Sequence, residues 1–298
     1  MKIPVSLVIL TYNEEKNIGE CLESVKDLFE EIFIVDSYST DKTLEIAGRY
    51  NSKIFQNKFK THSKQWIWAL NKLPIVNDWV MGLDSDQSIT ISLGNELLDL
   101  FSKGKLEKIS GCYIRRKYVF MDQWIKHGGY NAIYLLKLFN KHFVEVGSEE
   151  TVDHHFCVNG KTLKLSNELI ECNKNEYRLS FWIDKHNRYS SLQSIEDICL
   201  GLKKRGRIFG DRNERVLWIK NEIWNNLPLF IRPLLYFLYR YFFRLGFLDG
   251  KEGLIFHFLQ GFWYRFLVDA KIYEIEKKAE RENKAVKEVI KEMYGIEV

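Results

Sequence analysis

Apolar residues come in short, unbroken runs through the first third of the chain. Ile3 to Leu10 (IPVSLVIL) is almost wholly β-branched or aliphatic and stops at Thr11-Tyr12-Asn13-Glu14. Ile32 to Val35 stops at Asp36-Ser37, Lys53 to Phe55 makes a short third run, and Trp79 to Leu83 stops at Asp84-Ser85-Asp86. Runs without alternation predict strands buried on both faces, as in parallel sheets. Helical spacing lies between them. Ile18, Cys21, Leu22, Val25 and Leu28 share one face, with Asn13 as a cap, and a second helix is predicted from Asp41 through Leu44, Ile46 and Ala47. This alternation predicts an α/β fold with right-handed parallel connections. Ligands of such sheets bind outside the carboxyl ends of the strands, so Thr11, Asp36, Asp84 and Asp86 are expected to meet in one crevice.

The pattern changes downstream. Lys108 to Tyr118 reads as a strand whose end carries Arg115, Arg116 and Lys117, a cluster that suits either phosphate contact or a charged strand edge. From Trp218 the chain turns strongly aromatic, yet it offers no stretch of ~20 residues free of charge, which disfavours a membrane-spanning helix. Arg232, Arg240 and Arg244 fall within one helical arc, with Leu235, Tyr236, Phe237, Leu238, Phe242 and Phe243 over the rest. Such a helix suits the membrane interface. A buried helical subdomain with snorkelling arginines and a dimer interface are the alternatives. The tail beyond Asp269 reads as a solvated helix with an apolar stripe. The expected organisation is an α/β domain over 1–178 (halves 1–105 and 106–178), then a helical region over 179–298 whose amphipathic segment is 218–268.

Composition narrows the classes. A chain of 298 residues has room for a large core and an appendage, and its formal charge of +4 is too mild to require nucleic acid. No zinc-finger, P-loop or dinucleotide glycine pattern occurs. The five cysteines are scattered, without a Cys-x-x-Cys pair, and are expected as reduced thiols. The first residues enter a strand directly, so no cleaved leader is expected, and the predicted location is the cytoplasm, peripherally on the inner face of the cell membrane.

Asp84 and Asp86 are one residue apart at a strand end. Hard oxygen ligands placed so suit Mg²⁺ or Mn²⁺ held against a diphosphate, although an isolated Asp-x-Asp also fits a turn or a cap.

Three blocks, Val8–Glu15, Val35–Thr43 and Asp78–Asp86, together resemble glycosyltransferase family 2. Further matches at Arg115-Arg116, His127–Tyr130, Leu136–Phe139, His186–Ser190 and Gly246–Gly250 resemble its branch of lipopolysaccharide-core β-glucosyltransferases. The resemblance implies a GT-A fold, inversion at the anomeric carbon, a nucleotide-diphosphate sugar donor (a UDP-sugar favoured) and a lipid-linked or lipopolysaccharide-type acceptor. It implies that Thr11, Tyr12 and Glu14 lie against the nucleoside. Asp36 would hydrogen-bond the base, Asp84 with Ser85 would hold the ribose or sugar side, and Asp86, with Asp84, would ligate the metal. Lys64 matches a donor-contact segment loosely. Family members usually carry the base as His-Glu or Asp-Glu-His after a glycine-rich stretch. Here that place reads Gly147-Ser148-Glu149-Glu150-Thr151-Val152-Asp153-His154-His155, which leaves Asp153, His154 and Glu150 as alternatives. A non-catalytic glycan-binding relative is the reading from another class.

Overall fold

The computed structural model describes residues 2–147, 156–200 and 226–296, together with Trp218, Glu222 and Trp224. It divides into two compact units, residues 1–179 and 180–298.

In the first unit the apolar runs become strands. β1 (Ile3–Thr11), β2 (Phe29–Asp36), β3 (Lys53–Gln56) and β4 (Trp79–Asp84) are mutually parallel, in the order β3-β2-β1-β4. β1, β2 and β4 are buried on both faces, whereas the edge strand β3 is largely exposed. The connections carry α1 (Ile18–Val25), α2 (Thr43–Ala47) and α3 (His62–Lys72). α1 buries Ile18, Cys21, Leu22 and Val25 against Leu7, Ile9, Phe29 and Ile34. Its cap differs from expectation. Asn17, not Asn13, occupies the N-cap, and Asn13 stands left-handed at φ 54° with its side-chain carbonyl turned to Thr40 N. The carbonyl is more useful there because it ties two strand-end loops together. α3 lies close under β4, and a Cβ on Gly82 would come within 2.7 Å of the Trp66 ring.

Beyond β4 the sheet is mixed, and this corrects the expectation of a mostly parallel sheet. β5 (Gln87–Ile89), α4 (Ile91–Ser102), β6 (Gly111–Phe120), β7 (Gln123–Trp124), β8 (Tyr134–Asn140) and β11 (Thr162–Cys172) complete a nine-stranded sheet ordered β3-β2-β1-β4-β8-β6-β11-β5, with β7 on β6. β9 (Val144–Val146) and β10 (Phe156–Val158) form a separate antiparallel pair. In the large sheet β8, β7 and β5 pair antiparallel, while β11 runs parallel to β6. β8 runs antiparallel to both β4 and β6 because short connections, not crossover helices, join β6 to β8. Arg115 and Arg116 are not free cations at this strand's end. They lie beside β11 and pair with Glu168 and Glu171.

The second unit is helical: α5 (Leu179–Leu200), α6 (Ile231–Leu238), α7 (Gly250–His257), α8 (Tyr264–Glu282) and α9 (Val286–Tyr294), with π-helical turns at Tyr239–Phe243 and Phe258–Trp263. Ile195, Ile275, Ala279, Val289 and Ile290 make one core. The sequence block around His186 is structural. Trp182 stacks on His186 at 3.5 Å between centroids, and Lys271 donates to the Asn187 carbonyl at 2.7 Å and to Ser191 at 2.7 Å. Gly246 is required by packing, since a Cβ there would meet the His257 ring at 2.7 Å.

Two of the three arginines of the arc turn inward. Arg232 and Arg240 are buried and Arg244 is exposed, while Leu234, Leu235, Phe242 and Phe243 are exposed too. For Arg232 the reason is Asp269 on α8. It accepts Arg232 Nε at 2.8 Å and Nη2 at 2.5 Å, and its other oxygen accepts Phe230 N at 2.9 Å. A guanidinium this deep needs a matched carboxylate, because a buried ion left unpaired is strongly destabilising. Asp269→Ala should therefore lower the stability of the helical unit by ~3–5 kcal/mol. Chemical denaturation followed by tryptophan fluorescence measures this, and a loss below about 1 kcal/mol, the range of an exposed pair, would contradict it.

Candidate functional site

The register of the parallel strands fixes the site. β1 pairs with β2 so that Thr11 lies opposite Asp36, and with β4 so that Leu10 lies opposite Asp84. Three neighbouring strands thus end together on one edge of the sheet, and Ser85 and Asp86 follow in the turn to β5. The Thr11 hydroxyl is buried and has no hydrogen-bond partner among the described residues, so a ligand's polar atom is what would satisfy it.

The two loops beyond β1 and β2 are laced together. Asn13 N donates to Ser39 Oγ (2.8 Å), Thr40 N to Asn13 Oδ1 (2.8 Å), Glu14 N to Thr43 Oγ1 (2.7 Å) and Glu15 N to Asp41 Oδ2 (3.1 Å). Asp36 is the hub. It is fully buried, and its oxygens accept Ser39 N at 2.9 Å, Ser39 Oγ at 2.5 Å and Gln56 Nε2 at 3.1 Å. Three of about four acceptor positions on the carboxylate are thus taken within the protein. Tyr12 and Tyr38, by contrast, are more than half exposed at the rim, and Tyr38 is held left-handed at φ 64°. Two aromatic faces at one mouth suit a planar ring.

Asp84 and Asp86 are held differently. Asp84 Oδ2 lies 2.8 Å from Lys137 Nζ, and Lys137 stands on β8 with 4% of its surface exposed. An ammonium this buried requires a matched negative charge. Asp86 Oδ2 accepts Asn173 Nδ2 at 3.0 Å, and its backbone carbonyl accepts Cys172 N at 2.9 Å. A polar bridge continues from there. Asn173 Oδ1 accepts Asn17 Nδ2 at 3.2 Å, the same Asn17 amide donates to Glu14 Oε2 at 2.5 Å, and Asn17 Oδ1 accepts Lys174 N at 2.8 Å. A small pocket opens here, lined by Asn17, Glu20, Cys21, Ser85, Asp86, Gln87, Ser88 and Cys172. Burial, then the charges of Asp86 and Asp84, push the Cys21 thiol well above its ordinary range, so it stays protonated. Beside it Gln87 Nε2 donates to Glu171 at 2.7 Å, and Arg116 donates to the other oxygen of that carboxylate at 3.1 Å.

Asp84 and Asp86 present carboxylate oxygens on one turn, and no third His, Cys, Asp or Glu joins them into a metal cluster among the described residues. Mg²⁺ sites commonly use one or two carboxylates and complete the shell with phosphate oxygens and water, so this donor set fits such an ion. With Lys137 on Asp84, Asp86 is the better placed of the two.

The strand register brings Thr11, Asp36, Asp84, Ser85 and Asp86 together, with Tyr12 and Glu14 on the adjoining loop. Lys64 is exposed in the first turn of α3, where its backbone N–H meets the Thr61 cap at 3.2 Å. Asp153, His154 and Glu150 lie outside the described residues.

Residues 6–158 match the family model of glycosyl transferase family 2. The chain belongs to this family. The uncharacterized glycosyltransferase RT0209 of Rickettsia typhi is 25% identical over 281 residues, which span 92% of this chain and 88% of that protein. The lipopolysaccharide core biosynthesis glycosyltransferase LpsC of Rhizobium meliloti is 24% identical over 292 residues, spanning 92% and 93%. Among solved structures, TarS 1–349 of S. aureus aligns over 95% of this chain and 92% of its own at 15% identity, with a TM-score of 0.43. The chain is a glycosyltransferase of family 2 with a GT-A-like mixed α/β sheet.

Lys137, Asn17, Asn173, Ser39 and Gln56 escaped the sequence reading. Lys137 carried the one available signal, a lysine inside the apolar run Leu135–Phe139. The asparagines had none, because 156 residues separate Asn17 from Asn173. Asn173→Ala should cost the first unit ~1–3 kcal/mol by unpairing buried groups. A double-mutant cycle with Asn17→Ala should give a coupling above ~0.5 kcal/mol, whereas simple additivity would show that the bridge carries no energy.

Proposed function

We propose that this family 2 glycosyltransferase moves a sugar, with inversion, from a nucleoside diphosphate sugar to a lipid-linked or cell-envelope glycan acceptor met at a membrane surface. UDP is the favoured nucleotide. The observation that carries the reading is the common edge of β1, β2 and β4, where Thr11, Asp36, Asp84 and Asp86 converge. The open rings of Tyr12 and Tyr38 and the unsatisfied Thr11 hydroxyl provide for a base and a ribose. The name of the Rhizobium relative, which concerns lipopolysaccharide core biosynthesis, supports the acceptor class.

In the proposed reaction Asp86, fixed by Asn173, faces the diphosphate, and Asp84 with Lys137 holds the sugar side. Mg²⁺ or Mn²⁺ on Asp86 would neutralise the charge that grows on the departing nucleoside diphosphate. A base from the 148–155 segment takes the proton of the acceptor hydroxyl as that oxygen attacks the anomeric carbon and the bond to the diphosphate breaks. Asp153 is the first choice, with Glu150 and His154 as alternatives. Inversion in one displacement needs no covalent enzyme intermediate. Rigid strand ends supply the alignment that such a displacement requires.

The test combines binding and turnover. UDP-sugars with Mn²⁺ should raise the thermal midpoint, with about 2.7 kcal/mol of stabilisation at a donor concentration one hundred times Kd. Asp86→Ala should remove the Mn²⁺-dependent part and cut transfer by at least ~10², an effect on the scale of losing one preorganised charge contact. Normal turnover at saturating donor would reject the role of Asp86. Asp153→Asn should lower kcat ~10²–10⁴-fold while donor affinity holds. An unchanged kcat would move the base to Glu150 or His154.

A further inference from the structure

The second unit is built with its charges inside and its rings outside, over a single run of chain. Arg232, Arg240, Asp249 and His257 are buried, whereas Leu234, Phe243, Phe247, Leu248 and Phe258 are exposed, Phe243 to 79%. A water-facing helix would place these groups the other way round. The half-buried rings of Tyr241 and Phe237 join three of the exposed ones. Phe242 meets Tyr241 at 5.2 Å between centroids, and Tyr241 reaches Phe247 at 6.3 Å and Phe237 at 5.4 Å, which in turn meets Phe258 at 6.0 Å. With ~150–250 Å² for a whole aromatic side chain, the half-open rings of Tyr239, Phe242, Phe243, Phe247 and Phe258 leave about 500 Å² of apolar surface uncovered. Leucines and isoleucines add to this, so the patch is at or beyond the upper end for a soluble monomer.

We propose that the surface formed by residues 231–258 docks on an anionic lipid bilayer, with its aromatic and leucine side chains seated at the headgroup–acyl boundary. The proposal deepens the acceptor side of the function above, and its choice of a lipid partner rests on that reading. Charge selects a bilayer over other occupants. The exposed charges within 231–258 are Arg244 and Lys251, both positive, while Asp249 is buried and Glu252 half-buried. Cations within an exposed apolar segment match anionic headgroups. In a two-fold dimer the same cations would face their own copies, with like charges opposed. No helix among the described residues is long and apolar enough to cross a membrane, so the proposed contact is a surface one. The inward arginines also follow. Arg232, neutralised by Asp269 inside the unit, brings no net charge to the inserted face.

The experiment is flotation of the full chain with vesicles of phosphatidylcholine alone and of phosphatidylcholine mixed with phosphatidylglycerol. The chain should float with the mixed vesicles, less with the neutral ones, and less again in high salt. Phe243→Asp combined with Leu248→Asp should lower the bound fraction roughly tenfold, since both charges would have to enter the boundary. Phe243→Leu with Leu248→Phe should keep binding, and both pairs should melt like the parent because these side chains are exposed. Failure of the parent to float with anionic vesicles would overturn the proposal, as would unchanged flotation of the Asp pair. A parent dimer in sedimentation that the Asp pair dissolves would assign the face to a second copy and overturn it too. UDP-sugar binding, followed by thermal shift on the same samples, separates the two readings. Binding without flotation loses the membrane surface alone, and flotation without binding loses the transferase reading alone.

Discussion

Everything at the candidate site depends on β1 pairing in parallel with β2 on one side and β4 on the other, in a register that ends all three strands together. Side-chain period in a strand is two, so a slip of one residue would turn Thr11 or Asp84 to the opposite face and replace it with an aliphatic neighbour. The register is held by the burial of both faces. Leu7, Ile9 and Ile34 pack toward α1, and Val8, Phe33 and Val35 pack toward α3. The polar ends are thus positioned by the apolar residues that precede them.

The site sits at the seam between two kinds of sheet. On one side lie the parallel strands, whose loops are laced by Asn13, Ser39, Thr40 and Thr43. On the other side the sheet is mixed: β8, antiparallel to β4, brings a buried lysine to Asp84, and the residue after β11 brings an asparagine to Asp86. The two carboxylates are thus fixed by different strands, Asp84 by the ammonium of Lys137 and Asp86 by the amide of Asn173.

The first half of this architecture was legible because unbroken apolar runs and their polar ends are local signals. Strands β1, β2 and β4 and the convergence of their ends came from that pattern. The mixed half was not legible, since nothing local tells whether the strand containing Leu135 returns beside β4 or crosses over. Periodicity put Arg232, Arg240 and Arg244 on one arc but could not say which of them would face inward. For Arg232 that choice was made by Asp269, which lies 37 residues further on. Asn13 misled for a related reason: its residue type suits a helix cap, yet cross-loop bonding claimed it first.

The Asn17–Asn173 contact has a bearing on how the molecule comes into being. Translation emits a chain in one direction, and the strands that carry Thr11, Asp36 and Asp84 emerge long before β11. Until Asn173 has left the ribosome, Asp86 and Glu14 lack their common tether, although the loops after β1 and β2 can already be laced to each other. A nascent or truncated polypeptide ending before this point would own the acidic signature without the clasp that unites it.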